Sequence, residues 1–147
     1  MTLTGPFKVL EVGAGTGIFT RALLADEGWN ASIRRLTAVE PSKGMRDLLC
    51  QKVRDPRVDV ADGIFQSTQI AEKWADVILI AQAYHWCTDF NAATVEFARV
   101  LKPGGIVALT WNSEDRLGAD WVSQIWKVLG NHEEGTPVRE QTVAPDF

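Results

Sequence analysis

The sequence predicts an α/β protein, a three-layer sandwich in which helices cover both faces of a mostly parallel sheet. The first observation is the run VLEVGAGTG at 9–17, where an apolar stretch leads into three alternate glycines and then into helix-forming sequence. The second is the alternation of strand-like and helix-like segments along the chain, which favours parallel strands joined by right-handed crossovers. A length of 147 residues supports one domain with a single core.

Three strands and two helices are predicted before residue 64. The apolar run 8–12 predicts the first strand, and helix-forming sequence follows it. Pro41 ends the second strand, and Ser42 is placed to cap the helix that comes next. The predicted strands are 8–12, 34–39 and 57–60, and the predicted helices are 18–27 and 42–53. The loop 61–63 follows the third strand.

The second half of the chain continues the alternation. The unbroken apolar run 76–80 is typical of a buried parallel strand, and the apolar residues between Phe90 and Leu101 recur with a helical period. Lys-Pro-Gly-Gly at 102–105 predicts a turn into a fifth strand, 106–111. Four apolar residues predict a last amphipathic helix: Val122, Ile125, Trp126 and Leu129. These elements make a Rossmann-like fold of about five strands, and residues 138–143 predict a further, weak strand.

The glycine-rich loop predicts a ligand. Glycines are needed where a turn visits positive φ and where a ligand approaches bare backbone closely. Glu11 would repel a pyrophosphate but attract a cationic amino group, which favours S-adenosylmethionine over a dinucleotide. Ile18 also stands where a dinucleotide fingerprint needs its third glycine, and no lysine completes a P-loop. The alternative is a glycine turn that only joins a strand to a helix.

Acidic residues follow the second and third predicted strands. Ligands of such sheets bind at the carboxyl ends of the strands. There Glu40 is suited to accept two hydrogen bonds from a ribose diol, and Asp62 to accept one from an adenine amino group. The stretch 81–86, small and then aromatic, opens the substrate side. Each acid has an alternative role as a solvated or capping residue.

Five ordered motifs resemble those of class I S-adenosylmethionine-dependent methyltransferases. More narrowly, the chain resembles the type 11 methyltransferase group, including its trans-aconitate-methyltransferase-like members. The resemblance runs from about Phe7 to Asn112. The motifs are Leu10-Glu11-Val12-Gly13-Ala14-Gly15-Thr16-Gly17, Val39-Glu40-Pro41, Ala61-Asp62-Gly63, Ala81-Gln82-Ala83-Tyr84-His85-Trp86 and Leu101-Lys102-Pro103-Gly104-Gly105.

The resemblance implies roles for individual residues around the cofactor S-adenosyl-L-methionine. The glycine loop would hold the methionine portion, Glu40 the ribose hydroxyls, and the remainder the adenine or the methyl-transfer side. The cofactor-binding set is Glu11, Gly13, Ala14, Gly15, Gly17, Glu40, Met45, Asp62, Gly63 and Gln82, and the substrate side is Tyr84, His85 and Trp86. Within these sets, Met45 would pack on the adenine ring, Asp62 and Gly63 would lie at the adenine, and Gln82 would lie near the methionine moiety.

No catalytic residue is assigned. Methyl transfer from a sulfonium mainly needs in-line positioning of nucleophile and methyl group. His85 has two interpretations, a general base or a packed residue that lines the pocket. No metal is expected, because the only two cysteines, Cys50 and Cys87, are isolated and make no ligand spacing. We expect both to be reduced thiols on or near the core, which fits a cytoplasmic protein.

Composition excludes other classes. A net charge of −4 argues against a nucleic-acid partner, which usually meets a basic face. No apolar run approaches the ~20 residues that span a bilayer, so no membrane partner is expected. The leading hypothesis is a methyltransferase with a small-molecule acceptor. The alternatives are a non-catalytic cofactor-binding module that acts through a partner, and an NAD-dependent oxidoreductase, which Glu11 and Ile18 disfavour.

The chain departs from the family pattern at both ends. The resemblance implies about seven strands that end in an antiparallel hairpin, and an N-terminal helix that covers the cofactor. We expect the hairpin and this lid helix to be missing from a single domain, 1–147, with a cofactor-binding core at 7–112 and a C-terminal helix and polar tail at 113–147. Such an incomplete form would bind the cofactor weakly, turn over slowly, and associate with itself or with a protein partner.

Overall fold

The computed structural model of the chain describes residues 6–112 and 119–130. Five strands form one sheet: β1 (Phe7–Val12), β2 (Ile33–Val39), β3 (Val58–Ala61), β4 (Ala75–Ala81) and β5 (Leu101–Thr110). The strand order is β3-β2-β1-β4-β5, and every pairing is parallel. The chain therefore leaves β1 in one direction and later crosses to β4 on its other side. This reversal places a ligand crevice at the carboxyl ends of β1 and β4.

Helices follow strands β1, β2 and β4, as the sequence predicts, whereas the segment between β3 and β4 forms none. The helices are α1 (Ile18–Ala25), α2 (Glu27–Ser32), α3 (Lys43–Lys52), α4 (Phe90–Val100) and α5 (Asp120–Gly130), with a 3-10 turn at Tyr84–Trp86. Chain contacts divide the protein into a unit that ends at Trp111 and a second unit that begins at Asn112. Helix α5 belongs to the second unit. The strand expected at 138–143 lies outside the described residues.

Two element boundaries differ by more than one residue from the predicted ones, and helix α2 was not predicted. The first helix ends at Ala25 rather than Glu27, because the Asp26 carboxylate accepts a hydrogen bond from the Trp29 amide at 2.9 Å and starts α2. Strand β5 begins at Leu101 rather than Ile106. Leu101 already pairs with Ala75, and an irregularity in the register absorbs the turn-forming residues 102–105.

Hydrophobic residues fill both sides of the sheet. On one side Leu10, Ile78 and Ile80 pack with Phe97 of α4, and on the other Val9 and Leu79 pack with residues of α1 and α3. Two helical layers therefore enclose the sheet, and the predicted three-layer sandwich is confirmed. A polar side chain in the middle of β1, such as Glu11, is desolvated whichever face it occupies.

The two cysteines differ in burial. Cys87 is buried, as expected. Cys50 is exposed on α3, so the expectation that both thiols lie near the core is wrong for this residue. Its neighbour Leu49 occupies the buried position of that helix turn. Adjacent residues of an α-helix point in different directions, so Cys50 faces solvent where Leu49 faces the core.

A buried carboxylate joins α4 to the segment between β3 and β4. Glu96 accepts hydrogen bonds from the Thr68 amide at 2.8 Å and the Thr68 hydroxyl at 2.6 Å. It also accepts from the Arg99 guanidinium at 2.8 Å. Hydrogen bonds from Arg99 hold the pKa of Glu96 at about 2, well below its ordinary range. The ionised form of Glu96 therefore stabilises the folded state.

This contact predicts acid sensitivity. Because the folded-state pKa is lowered, the stabilisation is present above about pH 4.5 and is lost as pH falls towards 2. We expect the free energy of unfolding to fall by about 1.5–3 kcal/mol over this window, a value reduced because water still reaches Arg99. Urea unfolding across this range should show a shallower decline in Glu96→Gln, while Glu72→Gln, at an exposed carboxylate, should follow the parent. Equal slopes in all three proteins would contradict the prediction.

Candidate functional site

The loop after β1 is built from residues in the left-handed region. Gly13, Gly15 and Gly17 have φ values of 76°, 56° and 78°. The amides of Gly13 and Ala14 donate to the carbonyl of Val39 at 2.8 and 3.1 Å, which draws the loop across the end of β2. Side chains are strained at such φ values, so the conformation itself accounts for the alternate glycines.

Gly13 also lies against the end of β4. A Cβ atom there would stand 2.6 Å from the Cβ of Ala83 and 3.4 Å from the Phe65 ring. The loop therefore lies against two neighbouring segments, and no side chain would fit at position 13. Phe65 was not predicted as a site residue, because it lies in a loop where no periodicity marks it.

Glu40 connects the glycine loop to the start of α3. The residue is 7% exposed, and its carboxylate accepts from the amides of Gly15 and Ser42, each at 2.9 Å. Each carboxylate oxygen thus receives one backbone hydrogen bond and retains further accepting capacity. A ribose diol needs acceptors of this kind. The structure brings Glu40 and the loop together, as the sequence analysis expected.

Glu11 is buried rather than open to a ligand. It is 1% exposed, and its carboxyl group accepts a hydrogen bond from the Thr20 hydroxyl of α1 at 2.7 Å. Desolvation by burial raises the pKa of Glu11 to about 7. A cationic ligand would therefore not touch the Glu11 carboxyl group, and any electrostatic attraction would act through the surrounding protein.

Arg46 joins the loops that follow β2 and β3. Its guanidinium donates to the carbonyls of Glu40 and Pro41, both at 2.7 Å, and to the Asp62 carboxylate at 3.0 Å. Asp62 remains mostly exposed. Sequence reasoning missed Arg46. The signal was a cation in the first turns of α3, where the helix dipole disfavours positive charge and a separate partner is needed.

The other residues predicted to bind the cofactor lie after β3, at the start of α3 and at the end of β4. Gly63 is buried, and a Cβ there would lie 2.8 Å from Val39 and 3.0 Å from the Thr68 carbonyl oxygen. Met45, near the start of α3, is 45% exposed and free to pack on a ligand. Gln82 is exposed at the end of β4 with φ of 54°, a left-handed conformation that is uncommon outside glycine.

The residues predicted to lie on the substrate side form the 3-10 turn after β4. The half-buried Tyr84 ring makes edge contacts with Phe65 and Phe90, at centroid distances of 5.6 and 5.2 Å. Tyr84 therefore has a packing role. His85 and Trp86 are exposed, with ring centroids 5.3 Å apart. These two side chains are open to a second ligand.

The structure has two cavities away from these loops. Their volumes are about 550 and 370 Å³, and other residues line them. Within 6–112 and 119–130, no group of three histidine, cysteine or acidic residues is placed to hold a metal ion. No helix in these ranges has the length and apolar character to cross a membrane.

Comparison with known proteins decides the family. The family model of a methyltransferase domain matches residues 10–109, more than half of the chain. This chain belongs to the methyltransferase-domain family. The predicted membership in the class I, S-adenosylmethionine-dependent type 11 group is confirmed, and with it the cofactor of the family.

Curated relatives agree with this assignment. An uncharacterized methyltransferase of Mycobacterium tuberculosis is 36% identical over 140 residues, which cover 95% of this chain and 52% of the relative. A malonyl-[acyl-carrier protein] O-methyltransferase of Yersinia pestis is 34% identical over 119 residues, which cover 78% of this chain and 41% of the relative. The methyltransferase-domain chain thus spans about half the length of the curated relatives that it matches.

Solved structures share the fold. An S-adenosylmethionine-dependent methyltransferase of Mesorhizobium loti superposes with a TM-score of 0.63 at 16% identity, over 74% of this chain and 48% of the other. A methyltransferase in complex with the Haloferax volcanii Trm112 methyltransferase activator gives 0.66 at 23% identity, over 84% and 54%. At these identities the likeness concerns the fold of this methyltransferase-domain chain.

Replacing His85 by alanine should leave the affinity for S-adenosylhomocysteine, the demethylated cofactor, within about twofold. The His85 side chain is exposed beside Trp86, and no hydrogen bond among the described residues joins it to the loops after β1 and β2, so its removal should not disturb them. Isothermal titration calorimetry measures this, with Thr94→Ala as an exposed control. A large loss of affinity in a folded His85→Ala protein would show that His85 belongs to the cofactor side.

Proposed function

We propose that this chain binds S-adenosyl-L-methionine and transfers its methyl group to a small molecule. One observation carries the proposal: the buried Glu40 carboxylate is fixed by the Gly15 amide, so a ribose acceptor and a glycine loop form one unit. Asp62, Gly63 and Met45 would hold the adenine. The glycine loop and Gln82 would hold the methionine portion.

The residues present fit this cofactor. The loop glycines leave the backbone uncovered. Beside them, the Glu40 carboxylate can accept further hydrogen bonds from ribose hydroxyls. When bound, S-adenosyl-L-methionine supplies a methyl group on a positively charged sulfur. The protein's part is to orient: the loop and Glu40 fix one reactant, and His85 and Trp86 border the space where an acceptor would approach.

The acceptor and partners are inferred from surface chemistry. The net negative charge disfavours a polyanionic substrate, and the exposed Trp86 side chain favours a small-molecule acceptor beside it.

The edge of the sheet supports a partner. Among the described residues β5 pairs only with β4, and Ile106 and Leu109 are exposed along it. Open strand edges favour association. This supports a protein partner or self-association, and the exposed free thiol of Cys50 supports a cytoplasmic location.

Calorimetry of the 147-residue chain with S-adenosylhomocysteine and with NAD tests the proposal. We expect saturable binding of S-adenosylhomocysteine and none of NAD. Because Met45, His85 and Trp86 of the proposed site are exposed to water, we also expect weak affinity and slow turnover. Binding of NAD alone would overturn the proposal in favour of an oxidoreductase. Binding of S-adenosylhomocysteine with no methyl transfer to any acceptor would favour a non-catalytic module that acts through a partner.

A further inference from the structure

A cavity lies at the amino-terminal ends of the strands, opposite the glycine loop. Its volume is about 550 Å³, within the range of small-molecule sites. Lys8, Thr37 and Asp59, on β1, β2 and β3, line it from the sheet. Trp74 and neighbouring residues of the segment before β4 form a wall. The methyltransferase site uses none of these residues.

The cavity is rich in positive charge. Arg35 pairs with Asp59 through two hydrogen bonds, at 2.7 and 3.0 Å, so these two charges offset each other. Lys8 lies 5.4 Å from the centre of the Trp74 ring, and its ammonium group forms no ion pair among the described side chains. The nearby Asp76 carboxylate accepts from the Lys8 amide at 2.8 Å and is itself paired with Lys102 at 2.7 Å. Arg34 likewise forms no ion pair within that part of the chain. Two cations thus face one cavity in a protein whose net charge is −4.

A buried hydroxyl lines the same cavity. Thr37 is 5% exposed and lies between Leu10 and Asp59 in the strand register. Its hydroxyl has no hydrogen-bond partner in the described portion of the protein. A buried polar group without a partner is costly, so most such groups are satisfied by protein, water or a ligand. The Thr37 hydroxyl therefore indicates that a polar group binds in this cavity.

We propose that this cavity binds a small organic anion. Its carboxylate or phosphate group would accept hydrogen bonds from Lys8, Arg34 and the Thr37 hydroxyl, since charge-assisted bonds are the strong ones. Its apolar part would pack against Trp74 and Ile70, which line the cavity. The site is separate from the cofactor loops and does not depend on the proposed methyl transfer.

Titration of the ¹⁵N-labelled full chain with benzoate and with phenyl phosphate tests the site. Titration with sodium chloride controls for the effect of ionic strength. We expect saturable NMR shifts at the Lys8 and Thr37 amides and the Trp74 indole, and none at Gly13. Saturation by either anion supports the proposal, and the tighter anion identifies the preferred group. Shifts that never saturate, or that sodium chloride reproduces, would overturn it.

Variants separate the site from general electrostatics. Thr37→Val keeps the β-branched shape but removes the hydroxyl, and should weaken anion binding about ten- to hundredfold. Thr37→Ser should restore it. Arg34→Gln should weaken binding about two- to fivefold, whereas Arg54→Gln, an equal charge change at another exposed arginine, should not.

Calorimetry with S-adenosylhomocysteine on the same variants keeps the two sites distinct. We expect that affinity to be unchanged in folded Thr37→Val, with folding checked by thermal unfolding. Anion binding by Thr37→Val and Thr37→Ser that equals the parent's would overturn the assignment, whatever happens at the cofactor loops.

Discussion

Replacing Glu40 by alanine is expected to weaken the binding of S-adenosylhomocysteine about ten- to hundredfold. Hydrogen bonds to a charged group contribute about 1.5–3 kcal/mol, and the ribose would lose its acceptor. The same change also frees the amides of Gly15 and Ser42, so the loop loses its tie to α3. Both effects act in the same direction. Isothermal titration calorimetry measures the loss.

Asp47→Ala is the matched control for this variant. It removes the same charge from α3, but Asp47 is exposed and pairs only with Lys43 among the described residues. Its affinity should equal the parent's. Circular dichroism should show that Glu40→Ala is folded. An unchanged affinity in that folded protein would remove Glu40 from the cofactor site.

The second large effect concerns Glu11 and the pH dependence of stability. Burial raises its folded-state pKa from 4.5 to about 7, so the folded state holds the proton more tightly than the unfolded state does. Between these values the unfolded chain ionises first. The free energy of unfolding should therefore fall by about 3 kcal/mol as pH rises from about 4.5 to 7, and the stabilisation present at lower pH is then lost.

Glu11→Gln removes the titrating group and should flatten the stability profile in this window. Urea unfolding at several pH values measures the slope, with Glu27→Gln, at an exposed carboxylate, as the control. The Glu96 window lies below pH 4.5 and has the opposite sign, so the two glutamates together place maximal stability at about pH 4.5. A parent protein whose stability is flat from pH 4.5 to 7 would contradict the burial of an ionisable Glu11.

The fold was predictable because its signals are local. Apolar runs, Pro41 and the Ser42 cap predicted β1 to β4 and α3 to within one residue. The break at Asp26 also has a local signal, an Asx cap before Glu27, but the helix-forming residues on both sides conceal it. The start of β5 had none, because pairing of Leu101 with Ala75 overrides the turn preference of residues 102–105.

The candidate site was predictable only in part. The carboxyl ends of successive parallel strands meet, so Glu40 and the glycine loop could be placed together from the strand order alone. The inward position of Glu11 was not foreseen, although a polar residue on a central strand is buried on either face. Arg46 and the cavity beside Thr37 depend on contacts between segments far apart in sequence, which no periodicity records.

The two backbone hydrogen bonds to Glu40 are already made in the protein alone, which bears on how the parts of a ligand would share its affinity. Because the acceptor is preorganised, binding one portion of the ligand orders few protein groups that the other portion would need. Adenosine and methionine, offered as separate molecules, should each occupy its own half without strongly assisting the other. The joined molecule should then gain chiefly from the effective concentration that its covalent link provides.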